Sequence, residues 1–155
     1  EEDITEIAVR EAELATSWYG PHVRTVVICA QLEMELGQMS PDDESAFRQD
    51  YGIIESSRDK MINVSYDASD QISFFTVGED EVKAWQVQRN TGAQKSAGKI
   101  HSDLERGFIR AEVVACSDLL DSGGLVGARK LGLLRQEGKD YIVKDGDMMH
   151  ILFNV

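Results

Sequence analysis

Residues 97–113, AGKIHSDLERGFIRAEV, put a helix, a stop signal and a strand into one short run, so the chain is constrained to a mixed α and β domain. Ile100 and Leu104, four residues apart, share one face of the expected helix. Lys95, Lys99 and Arg106 are spaced by four and seven residues and fall on a second face at about 100° per residue. Gly107 stands just past the helix end, where the backbone often turns left-handed. Arg106 in the last turn suits the negative end of the helix dipole. Phe108, Ile109, Ala111, Val113 and Val114 then read as a strand buried on at least one face.

At 155 residues the chain has room for one ordinary domain or two small ones. Charge favours two. Residues 1–71 hold five Lys/Arg against sixteen Asp/Glu, a balance of −11, while residues 72–155 hold eleven against twelve, a balance of −1. The first part should be repelled by nucleic acid, and the second can carry a local basic patch. No apolar run approaches the ~18 residues of a membrane span, so no membrane partner is expected. The start, Glu1-Glu2-Asp3, is acidic and lacks methionine, which fits a fragment or processed chain without a signal peptide. Cys29 and Cys116 are far apart and read as small buried hydrophobes in a reducing compartment.

Taken in order, Ile4, Ile7, Leu14 and Trp18, with Ala8 and Ala15, make one apolar helical face, which Gly20-Pro21 ends. Thr25–Cys29 is a β-branched run suited to a buried strand, and the pair suggests the tail of an α/β domain. Ser40-Pro41-Asp42-Asp43 is a strong helix start. Ser57 opens another helix, running to about Ser69 with Met61, Ile62, Val64 and Tyr66. Ile72–Val77 and Val82–Val87 read as a hairpin around Gly78-Glu79-Asp80. The glycines of 118–134 suggest loop with a short helix, and Asp145-Gly146 suggests a tight hairpin turn between 141–144 and 148–153.

No histidine sits at a metal-ligand spacing, and Asp145, Asp147 and His150 are better explained by the turn, so no metal site and no catalytic residue is expected. Ser102 beside His101 is not a nucleophile and base, because neighbouring helical residues point apart. The basic residues are the better candidates. Lys95, Lys99, Arg106, Arg110, Arg129 and Lys130, with Arg135 and Lys139, can contact phosphates. Trp85, Phe108 and Tyr141 can stack bases where exposed.

The stretch at 97–113, together with FFTVGEDEVKAW (74–85) and EGKDYIVKDGDMMHILFNV (137–155), closely resembles the C-terminal TGS domain of the YchF/Obg-like ATPases, a P-loop family. The resemblance implies an α+β fold: a ubiquitin-like β-grasp domain at 72–155, a small mixed sheet wrapped over a helix. It would be preceded at 1–71 by the C-terminal remnant of an α/β P-loop nucleotide-binding domain with connecting helices. It also implies that CAQLEMEL (29–36) matches a loop that approaches the nucleotide base, with Cys29, Ala30 and Glu33 at the matching positions. The parent is expected to be cytoplasmic, to use ATP or GTP with magnesium, and to dock through its TGS domain on the ribosome or RNA. Its own nucleotide-binding domain is a further partner. The rival expectation is a regulatory protein-interaction module without nucleic-acid binding. No GxxxxGK[ST] run, switch segment or base-reading Asn-x-x-Glu is present, so hydrolysis by this chain alone is not expected.

Overall fold

The computed structural model describes every residue except 1, 19, 21, 54, 79, 80 and 155, and the side chains of residues 2–5 and 8 are also outside the described set. The chain divides into two compact units, Glu1–Ser69 and Asp70–Val155.

The first unit is helical: α1 (Glu2–Ser17), α2 (Ala30–Leu36), α3 (Pro41–Asp50) and α4 (Ser57–Ala68). Ser40 and Ser56 cap α3 and α4, each side chain accepting a backbone N–H three residues on. The unit is tied together largely by charged side chains. Among its described apolar residues only Leu36 is fully buried. The Glu33 carboxylate takes Arg48 at 2.9 Å, the Ser57 hydroxyl at 2.8 Å and the Ser57 N–H at 3.0 Å. Glu11 takes Lys60 and the Val27 N–H.

Two expectations change here. Thr25–Cys29 is largely half-exposed and joins no sheet, because a strand needs a hydrogen-bonding neighbour and this unit has none among its described residues. The apolar face of α1 is only partly covered: Ile7 is half-buried beside Val27 and Leu32, Leu14 and Trp18 are 41% and 69% exposed, and Ile4 and Ala8 have side chains outside the described set. Pro21 and the Glu79-Asp80 turn also lie outside the described residues.

The second unit is α+β. It comprises β1 (Gln71–Val77), β2 (Val82–Gln88), α5 (Ala93–Ile100), α6 (Ser102–Arg106), β3 (Phe108–Ala115), α7 (Cys116–Asp121), α8 (Leu125–Lys130), β4 (Arg135–Glu137) and β5 (Asp147–Phe153). The strands form one sheet in the order β2-β1-β5-β3-β4, with β1 and β5 parallel and the other pairs antiparallel. Alternation along the strands gives the sheet two apolar faces. Ile72, Phe74, Val87, Ala111, Val113 and Met149 pack with Ala93 of α5 on one face. Val114 and Met148 pack with Ala128 of α8, and with Leu119 of α7, on the other. The adjacent residues Val113 and Val114 thus serve different cores. A mixed sheet wrapped over α5 is the β-grasp arrangement that the resemblance implied.

The helix read across 97–106 is two helices. His101 adopts extended backbone angles (φ −162, ψ 144), ends α5, and starts α6 by accepting the Asp103 N–H on Nδ1 at 3.1 Å. The two helices fold closely together. Gln94 donates to the Glu105 carbonyl at 3.0 Å, and a Cβ on Gly98 would meet the Glu105 carboxylate at 2.1 Å. Gly107 is not left-handed (φ −92).

The Asp145-Gly146 turn does not join a hairpin. Residues 141–144 are drawn to the start of α5: the Ala93 N–H donates to the Tyr141 carbonyl at 2.8 Å and Ile142 bridges Gly92. The chain then turns through Gly146 (φ +78) and runs β5 between β1 and β3. Residues 118–134 hold two short helices rather than one.

Candidate nucleic-acid interface

The nominated cations sit on both sides of the sheet. Lys95 and Lys99 are one turn apart on the exposed face of α5, whose opposite face buries Ala93, Ser96 and Ala97. The break at His101 separates them from Arg106, which lies on α6 and pairs with Asp103. The expected stripe is therefore two lysines on one helix, not three cations in line. Arg110 precedes the buried Ala111 in the ladder and so faces the α8 side of the sheet. On that side Arg129 is held by Glu112 at 3.3 Å, with Lys130 next to it on α8. Among the described residues Lys95, Lys99, Arg110 and Lys130 form no ion pair.

The aromatic candidates are partly buried in the α5 core: Trp85, Phe108 and Tyr141 all pack against it. Trp85 is half-buried and lines a cleft. Its Nε1–H donates to Thr76 Oγ1 at 2.9 Å, and Lys83 Nζ lies 4.4 Å from its ring centroid. Beside it a cleft of about 350 Å³ opens, lined by Trp85, Ile100, Leu104, Met149, Ile151 and Phe153. Lys83, Glu81 and His150 stand among its polar lining. Ile100 and Leu104, read from the sequence as one helical face, thus come from two helices and meet at this cleft.

Tyr141 has a different task. Its hydroxyl donates to Asp147 Oδ2 at 2.8 Å, and the Lys144 N–H donates to the same oxygen at 2.8 Å. Asp147 is only 2% exposed. Burial, and then the bond to Asp147, push the Tyr141 hydroxyl up to about 12. The sequence reading placed Asp147 in a turn and missed this anchor; the only signal was an acid at the start of an apolar strand.

In the first unit Cys29 precedes α2 without a side-chain cap, and Ala30 opens that helix at the surface. Ala30 and Glu33 border a shallow hollow with Ile28, Met61 and Ile62. The Arg48 bond, working against burial and aided by Ser57, holds the Glu33 carboxyl below the usual range. Burial opposes the Glu11 charge, but Lys60 and the Val27 N–H outweigh it and lower its pKa. Among the described residues no group of three His, Cys, Asp or Glu side chains is arranged to hold a metal ion.

The family model YchF-GTPase_C, described as "Protein of unknown function (DUF933)", matches residues 71–154. The chain is 45% identical over 136 residues to the "Ribosome-binding ATPase YchF" of Bacillus subtilis, covering 88% of this chain and 37% of that protein. It is 36% identical over 154 residues to the protein of the same name from Escherichia coli O157:H7, covering 99% and 40%. "Obg-like ATPase 1" of Caenorhabditis elegans is 43% identical over 122 residues, covering 79% and 31%. The solved structure of the Schizosaccharomyces pombe YchF GTPase aligns over 93% of this chain and 38% of that one, with a TM-score of 0.73 at 26% identity. The chain therefore spans well under half the length of these relatives.

Proposed function

The chain belongs to the YchF/Obg-like family, and on that premise we propose that it is the C-terminal part of a ribosome-associated protein that hydrolyses ATP or GTP with magnesium. Residues 72–155 serve as a TGS docking module for the ribosome or RNA, and residues 1–71 are the tail of the nucleotide-binding domain with its connecting helices. The observation that carries the docking role is the pair Lys95 and Lys99, exposed one turn apart and free of ion pairs among the described residues. Unpaired cations on a rigid helix suit phosphates better than arginines already held by Asp103 or Glu112. The names of the relatives support the ribosome as partner, and that partner implies a cytoplasmic setting. No helix is long and apolar enough to cross a membrane among the described residues. Hydrolysis belongs to the parent's P-loop, so this chain contributes docking and not the chemical step.

The open hollow at Ile28, Met61 and Ile62, all at least 39% exposed, favours a second contact. There the parent's nucleotide-binding domain covers the first unit.

Co-sedimentation with purified ribosomes tests the reading. The chain should pellet with them at low salt, and Lys95→Glu/Lys99→Glu should stay in the supernatant. A double variant that pellets as the unaltered chain does would remove α5 as the docking surface.

A further inference from the structure

The cleft beside Trp85 has the parts of a nucleobase receptor. Its walls are apolar: Ile100 and Leu104 on the helical side, Met149 and Ile151 on the sheet, with Phe153 47% exposed. Trp85 supplies an aromatic surface whose only donor is already satisfied by Thr76, so the indole needs no further polar partner. Lys83 is exposed, forms no ion pair among the described residues and lies over the ring in a cation–π contact. Lys83 is the cation in the cleft lining, while Lys99 lies on the exposed face of α5, the helix that supplies Ile100. Glu81 supplies an acceptor group in the same lining, whereas the His150 side chain, paired in the ladder with Glu112, faces the α8 side of the sheet.

We propose that this cleft takes one unpaired base of single-stranded RNA. The base stacks on Trp85 in place of the Lys83 side chain, and Lys83 holds a flanking phosphate. Recognition of RNA by splayed bases on aromatic side chains requires this combination of a ring, apolar walls and a nearby cation. A phosphate itself would be turned away from the Glu81 side, which can instead accept from a base amino group. The inference rests on the docking role of the second unit and names where the nucleic acid enters it.

Tryptophan fluorescence tests it. The chain has two tryptophans, and Trp18 is 69% exposed, so Trp18→Phe leaves Trp85 as the sole reporter without a core cost. Two probes are titrated into that background: hexaadenylate RNA, and a ribose-phosphate hexamer lacking all bases. The expected result is quenching by the RNA, with the base-free hexamer binding weaker by about tenfold or more. Lys83→Glu, an exposed change that leaves the core intact, should weaken the RNA by a similar factor. Equal affinity for both hexamers would overturn the base site and leave a purely electrostatic dock. No quenching by either, while the chain still pellets with ribosomes, would overturn the cleft alone. Loss of ribosome binding as well would bring down the docking reading on which it rests.

Discussion

Replacing Asp147 should be among the most damaging single changes in the second unit. The carboxylate is 2% exposed and accepts two bonds of 2.8 Å, from the Tyr141 hydroxyl and the Lys144 N–H. A hydrogen bond to a charged group contributes roughly 1.5–3 kcal/mol net. Arg135, 3.8 Å away and 45% exposed, adds little. Asp147→Ala removes both bonds and leaves the Lys144 N–H without its acceptor, so a loss of about 3–5 kcal/mol follows. Asp147→Asn keeps an oxygen that can accept both bonds but loses the charge, and should cost about 1–2 kcal/mol. Urea unfolding followed by Trp85 fluorescence, in the Trp18→Phe background, reads the second unit separately. A double-mutant cycle with Tyr141→Phe should give a coupling of about 1–2 kcal/mol, since the two side chains share one bond. Additive effects, or a loss below about 1 kcal/mol for Asp147→Ala, would refute the reasoning.

Gly127→Ala puts a methyl 1.8 Å from the Ser122 carbonyl oxygen, a backbone atom, and should cost about 1–3 kcal/mol by displacing α8. Gly138→Ala meets nothing within 4 Å and has no left-handed φ, so its urea midpoint should hold or rise slightly. Because Glu33 and Glu11 have folded pKa values below the ordinary carboxylate value, their contribution is present above about pH 4.5 and is lost as pH falls through the folded values. Helical circular dichroism of Glu33→Gln should accordingly show a flatter acid limb than that of the unaltered chain. Tyr141 has the opposite sign. Its raised pKa gives stability present below about pH 10 that is lost as pH approaches about 12. Phenolate absorbance should show one of the four tyrosines ionising late, and Tyr141→Phe should remove that step.

The sequence exposed those elements whose residues carry a local physical signal. The alternation in Ile72–Val77 and Val82–Val87, and the Ser40-Pro41 cap, are local and appear as β1, β2 and α3. What it hid depends on neighbours distant in the chain. Lys95 to Arg106 keeps helical spacing through His101, but the ring caps a second helix, and nothing in a periodicity argument marks that break. Asp145-Gly146 makes its turn, yet residues 141–144 pair with the start of α5 rather than with β5. The three polar residues of β4 carry no alternation and become a strand only because β3 offers an edge. Of the site, the cations and Trp85 were readable as residue types. Their division between two faces of the sheet, and the cleft joining Trp85 to Ile100 and Leu104, require the fold.

The salt dependence of ribosome affinity tests the central claim most directly. Logarithmic plots of affinity against salt should be steep for the unaltered chain. For Lys95→Ala/Lys99→Ala the slope should be shallower by about two, one for each phosphate that a lysine no longer neutralises. An unchanged slope in the double variant would contradict phosphate docking through α5.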